Sequence, residues 1–147
     1  MPPRFAKNKM TSASSLFHGI VSGERRRDHA DVAARAARIA GGLQKLGVKP
    51  GDCVCILMRN DIAFIEAAYA TMMLGAYAVP INWHFKPDEV AYILGDTGTQ
   101  VLIGHADLLH PLEGHVPAGV TMLSVPTPPE IRASYTIDPA SFNALSG

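Results

Sequence analysis

The sequence predicts an α/β fold, a mostly parallel sheet with helices on both faces, and three observations predict it. Short apolar, β-rich runs recur at 53–58, 76–81, 100–103 and 120–125. Between the first three runs, apolar residues return at helical spacing. Glycine and proline punctuate the junctions. Strands separated by helices of this length read as right-handed crossovers that build a parallel sheet of at least three strands.

Residues 1–23 contain no acid but do contain Arg4, Lys7, Lys9 and several serines. That composition is compatible with an organelle transit peptide. The plainer reading is a disordered or weakly ordered start, with Met10 as the natural initiator. The basic run Arg25-Arg26-Arg27 follows. It offers a phosphate or partner contact, but without interleaved aromatics it reads as a solvated edge strand or loop.

The first helix begins near Asp28, whose side chain suits the cap, with Asp31 three residues on. Val32, Ala36, Ile39, Leu43 and Leu46 form one apolar stripe, and Gly47 is placed to end the helix in a left-handed conformation. Lys49-Pro50-Gly51-Asp52 is a turn. The run at 53–58 is apolar on both faces, as a central parallel strand covered by helices must be. Asn60 or Asp61 caps the next helix. Its predicted stripe is Ile62, Ile65, Tyr69 and Met72 or Met73, the methionines as core filling, and Gly75 closes it.

The second strand spans 76–81, with Pro80 at its end where no ladder donor is needed. Asn82-Trp83-His84-Phe85 is a loop. Pro87 then occupies a first helical turn, with Asp88 and Glu89 favourable at the positive end of the dipole. Val90, Ile93 and Leu94 supply that helix's apolar side, and Gly95 and Gly98 bracket its end. A third strand, 100–103, and a fourth, 120–125, flank a poorly patterned helix or loop at 105–113. From Pro126 the prolines 128, 129 and 139 argue for linker or loop.

Composition excludes several classes of function. A chain of 147 residues with 48% apolar and 18% charged residues is ordinary globular material of about one domain. Lys plus Arg and Asp plus Glu both count 13, so nothing attracts nucleic acid or an anionic membrane in general. No apolar run approaches the roughly 20 residues of a membrane span. Cys53 and Cys55, two apart on a strand, share a face and do not bridge each other. They read as small buried hydrophobes in a reducing compartment, which places the chain in the cytoplasm.

Motifs for chemistry are few. His18, His29, His84, His105, His110 and His115 carry no acid or cysteine cluster, and each reads as a surface or loop histidine. No serine sits in a Gly-x-Ser-x-Gly elbow. Gly19 and Gly23 form a Gly-x-x-x-Gly pair, uninformative outside a membrane helix. A phosphoryl receiver needs an acidic pair after its first strand and an acceptor aspartate after its third. Only Asp61 follows the first clear strand, and Gly104 follows the third. The segment to watch is Asn82-Trp83-His84-Phe85, just past a strand's C-terminal end, where open parallel sheets bind ligands. It reads either as a pocket wall or, more plainly, as a packed turn with Trp83 and Phe85 covering the sheet.

An ordered set of motifs resembles the opening of the adenylate-forming ligases, the acyl-CoA synthetase family. The set is Leu46-Gly47-Val48-Lys49-Pro50-Gly51-Asp52, Gly75-Ala76, Val79-Pro80-Ile81-Asn82 and Pro87-Asp88-Glu89-Val90-Ala91-Tyr92-Ile93-Leu94. The resemblance covers about residues 28–104, and more weakly to 125. Lys86 departs from it, standing where the family often has a small polar cap.

The resemblance implies the incomplete N-terminal part of that fold. It divides the chain into a weakly ordered start at 1–23, a partial AMP-binding α/β domain at 24–125 and a linker or loop at 126–147. For the complete enzyme it implies a carboxylic acid substrate, ATP, Mg²⁺ and coenzyme A. The acid is activated to an acyl-adenylate and then transferred to the thiol. That chemistry needs a Gly/Ser/Thr-rich phosphate loop and a catalytic lysine. No Thr-Ser-Gly-Thr-Thr-Gly-like segment occurs here, and Thr97-Gly98-Thr99 is too short and precedes a strand.

No catalytic, cofactor-binding or metal-binding residue is therefore carried over, and the chain by itself is expected to bind none of these cofactors and to be inactive. A truncated gene, an interrupted frame or a split protein would each produce such a chain, and self-association is expected of its open edges. The alternative is a self-sufficient small α/β binding or interaction module without catalysis.

Overall fold

The computed structural model describes residues 16–134. Residues 1–15, most of the start expected to be weakly ordered, and the segment 135–147 lie outside the described residues.

Two strands, β1 (Gly19–Ser22) and β2 (Arg25–Asp28), open the fold as an antiparallel hairpin. Gly23, at φ 59°, takes the left-handed backbone that the two-residue connection requires. Thus β1 begins inside the stretch expected to be weakly ordered.

Asp28 then caps α1 (His29–Lys45), its carboxylate accepting the Asp31 N–H at 2.8 Å. Val32, Ala36, Ala40 and Leu43 are buried. The predicted stripe drifts at its end, where Ala40 faces inward and Leu46 lies exposed at the cap. Gly47, at φ 93°, ends the helix as expected.

The main sheet contains β3 (Cys53–Leu57), β4 (Tyr77–Pro80), β5 (Val101–His105) and β6 (Thr121–Val125). Its order is β4-β3-β5-β6, and every pairing is parallel. The three strands predicted to pair in parallel do so, and the fourth adds to them.

Side-chain alternation along β3 and β5 splits the core into two layers. Val54, Ile56, Val101 and Ile103 face α1 and α2 (Ile62–Met73). Cys55, Leu57 and Leu102 face α3 (Pro87–Thr97) and the short α4 (Ala106–Leu109), with Val90, Leu94 and Leu109. Helices therefore cover both faces. The poorly patterned stretch becomes α4 followed by a 3₁₀ turn, His110–Leu112, whose Leu112 is buried.

Two local expectations need correction. The inward face of α2 is not Ile65, Tyr69 and the methionines. It consists of Ile62, Glu66, Ala67, Ala70 and Thr71, while Tyr69, Met72 and Met73 are exposed. The reason lies in the packing of α2 beside α1: Ala67 and Ala70 share one buried cluster with Ala36 and Ala40 of α1, and small side chains suit a close helix pair. The segment after Pro126 also contains a helix, α5 (Pro129–Ser134), rather than loop alone.

Lys86 precedes α3 in extended conformation without a side-chain cap bond. Instead the Glu89 carboxylate accepts the Lys86 N–H at 2.7 Å. Gly104 is required by space: a Cβ there would lie 2.6 Å from Leu109 Cδ2 and 2.9 Å from the Leu57 carbonyl oxygen.

Candidate functional site

Connections leave β3 toward β4 on one side and β5 toward β6 on the other. The C-terminal ends of β3 and β5 therefore flank the topological switch point, the crevice position at which open α/β sheets take ligands. Two side chains enter it from the loop after β3, Arg59 and Asp61. Two more come from the end of β5 and the start of α4, His105 and Asp107. The hairpin contributes Arg25.

Asp61 is the centre of the first group. As the cap of α2 it accepts the Ile62 N–H at 2.7 Å. The same oxygen, Oδ1, accepts Arg25 Nη2 at 2.6 Å, and Oδ2 lies 3.0 Å from His105 Nε2. His105 Nδ1 accepts the backbone N–H of Arg59 at 3.2 Å. That bond leaves the ring proton on Nε2, where it is donated to Asp61. Burial pushes the Asp61 carboxyl up. The hydrogen bonds from His105 and Arg25, the Arg25 charge and the Ile62 N–H outweigh it and hold the group below the usual carboxylate range.

Asp107 anchors a second group. Arg59 binds it through two nitrogens, Nη1 to Oδ1 at 3.0 Å and Nη2 to Oδ2 at 2.9 Å. The Thr127 hydroxyl donates to Oδ1 at 2.6 Å. Burial again acts upward on the carboxyl. Arg59, Thr127 and the charge of Arg132 prevail and lower it. The same Arg59 guanidinium lies over the Trp83 ring, 4.9 Å from its centroid, so the loop after β4 is tied to the ends of β3 and β5.

The basic run is an edge strand, as read, but it is only partly solvated. Alternation turns Arg25 and Arg27 toward α2 and leaves Arg26 over Phe17. Arg27 Nη1 donates to Glu66 Oε1 at 2.6 Å, and Arg35 Nε reaches the same carboxylate at 3.0 Å. Glu66 is 1% exposed, so both arginines answer one buried charge. Arg25 also bonds Glu130 of α5.

His105 corrects the reading of the histidines. It is 0% exposed, whereas His18, His29, His84, His110 and His115 are exposed as expected. A signal existed: it closes an apolar strand run at the sheet's C-terminal edge. Its partner, however, lies 44 residues earlier, beyond any local pattern.

The loop after β4 is a built turn. Asn82 Oδ1 accepts the His84 N–H at 3.0 Å, and the Trp83 and His84 rings lie 3.6 Å apart. Trp83 packs on the α3 layer, but Phe85 is exposed and lines an open depression of about 430 Å³ with Asp88, Glu89, Tyr92 and Ile93. Thr99 serves structure, its hydroxyl 2.8 Å from the Cys53 carbonyl. Burial pushes the Cys55 thiol up, the reverse of activation.

Among the described residues no three His, Cys, Asp or Glu side chains converge on a metal position, and no helix is long and apolar enough to cross a membrane. The charges in the crevice satisfy one another. These residues do not by themselves fit Mg²⁺–ATP.

Comparison with known proteins identifies the setting. Residues 6–144 match the AMP-binding enzyme family. A feruloyl-CoA synthase of Amycolatopsis sp. is 36% identical over 110 residues, covering 70% of this chain and 22% of that protein. The anthranilate CoA ligase AuaEII, solved with anthranoyl-AMP, superposes with a TM-score of 0.67 at 29% identity, covering 74% of this chain and 22% of that one. The N-terminal domain of FACL13 from Mycobacterium tuberculosis gives 0.63 at 35% identity, covering 69% and 27%. The chain spans about a fifth of the length of the curated relatives it matches. With the motif order, the parallel sheet and these likenesses in agreement, the chain belongs to the AMP-binding enzyme family and corresponds to an N-terminal part of an adenylate-forming acyl-CoA ligase.

Proposed function

We propose that this polypeptide supplies the N-terminal framework of an AMP-forming acyl-CoA synthetase. In that enzyme a carboxylic acid attacks the α-phosphate of ATP, pyrophosphate leaves, and the thiol of coenzyme A displaces AMP from the acyl-adenylate. The observation that carries the reading is the family match across 6–144 on a sheet of the same architecture.

The relatives' names point to aromatic and fatty acids as the substrate classes, and thus to aromatic- or fatty-acid metabolism. Two free cysteines on one strand support a cytoplasmic setting. By itself the chain of 147 residues is a scaffold and not a catalyst, because its sequence contains no Gly/Ser/Thr-rich phosphate loop.

Two measurements test this. Purified chain is expected to show no ATP–pyrophosphate exchange with acetate, medium-chain, long-chain or aromatic acids. Turnover that stops on chelating Mg²⁺ would overturn the scaffold reading. A chimera in which residues 24–125 replace the matching segment of the Amycolatopsis feruloyl-CoA synthase is expected to retain exchange with ferulate. A folded chimera that binds ATP but forms no adenylate would sink the family role.

A further inference from the structure

The crevice between the ends of β3 and β5 has the construction of an anion site. An arginine from the hairpin, a fully buried histidine and the first N–H of α2 converge on one point. A nucleotide phosphate or a free carboxylate is the usual guest of such a place. Here the guest is the chain's own Asp61. Its two oxygens accept three donors at 2.6, 2.7 and 3.0 Å, and its side chain is 2% exposed.

The donors do not depend on Asp61 alone for their placement. His105 is oriented by the Arg59 N–H at 3.2 Å, and Arg25 is held by β1–β2 pairing, by Ser22 Oγ at 3.3 Å and by Glu130. Removing the carboxylate therefore leaves three aimed donors around a buried space of carboxylate size. Leaving them unsatisfied is costly, which gives an external anion a reason to enter.

We propose that the switch-point crevice is a carboxylate-binding site occupied from within: Asp61 is its resident ligand, and small carboxylates such as formate or acetate bind there once that side chain is removed. The native chain then excludes external anions from this crevice by occupation. The inference stands on the geometry of the crevice and not on the family role.

The test is chemical rescue of Asp61→Ala, read by urea unfolding through Trp83, the one tryptophan of the chain, which lies beside Arg59. The variant is expected to unfold at lower urea than native protein. Its midpoint should rise with the logarithm of formate concentration once formate exceeds its Kd, because formate binds only the folded state. Chloride at equal ionic strength should not reproduce the rise, and native protein should show none.

Arg25→Ala added to Asp61→Ala should abolish the response. Asp61→Asn, whose amide fills the space, should be less stable than native and indifferent to formate. Equal responses of native protein and Asp61→Ala, or a response that survives loss of Arg25, would overturn the proposal. So would an Asp61→Ala chain that stays unfolded in excess formate while Asp61→Asn folds.

Discussion

Asp61, buried, and Asp107, half-buried, are acids answered by arginine, and their depressed titration gives the fold a defined acid limit. A carboxyl whose folded pKa lies below its unfolded value of about 3.9 contributes stability above that value and loses it as pH falls through the folded pKa. The stability that these two carboxylates contribute is therefore expected to be level from neutral pH down to about 5 and to fall below about 4. Asp107→Asn should cost about 3 kcal/mol near neutrality, because it removes the carboxylate that the buried Arg59 guanidinium binds through two nitrogens. It should also flatten the acid slope, since one of the titrating groups is gone. Urea unfolding across a pH series checks both. An acid slope unchanged in Asp107→Asn would show that the Arg59 pair contributes nothing to the limit.

Ala36 and Ala40 of α1 and Ala67 and Ala70 of α2 lie in one buried cluster, so enlargement there is more harmful than on the outer face. Ala70→Leu, at a position with 0% exposure, is expected to destabilise by about 1–3 kcal/mol, whereas Met73→Lys should stay within about 0.5 kcal/mol. Gly104→Ala should also cost about 1–3 kcal/mol, because its methyl meets Leu109 and the rigid Leu57 carbonyl. Thermal denaturation of the three variants would order them; a Met73→Lys loss as large as that of Ala70→Leu would contradict the packing. The same helix shows what the sequence could and could not say. Elements whose signal was local were legible: the Asp28 cap, the Gly47 stop, the apolar strand at β3 and the Pro87 start. The inward face of α2 was not, because hydrophobic periodicity favours large residues and cannot register two helices touching through alanine. Nor was the crevice. Arg25, Asp61 and His105 come from three separate elements, and each alone looks like an ordinary surface residue.

Taken as a whole, the described part of the chain presents exposed apolar surface. Tyr69, Met72 and Met73 of α2 and Tyr77 of β4 are exposed, and among the described residues β4 and β6 each pair on one side only. Exposed apolar side chains beside open strand edges favour association. The isolated chain is expected to sediment as a concentration-dependent mixture, and Tyr69→Lys with Met72→Lys should shift it toward monomer. A single monomeric species at every concentration, before and after substitution, would refute this. One last feature supplies an internal clock. Cys53 and Cys55 share the α3 side of one strand, yet Cys53 is half-buried and Cys55 is sealed beneath Val90 and Leu94, its sulfur 3.5 Å from the Thr97 hydroxyl. A thiol reagent in excess should label them in two phases, the first set by access to Cys53 and the second by how often α3 lifts from the sheet. The ratio of those rates reads the free energy of opening a single layer without denaturant, from two sulfur atoms two residues apart.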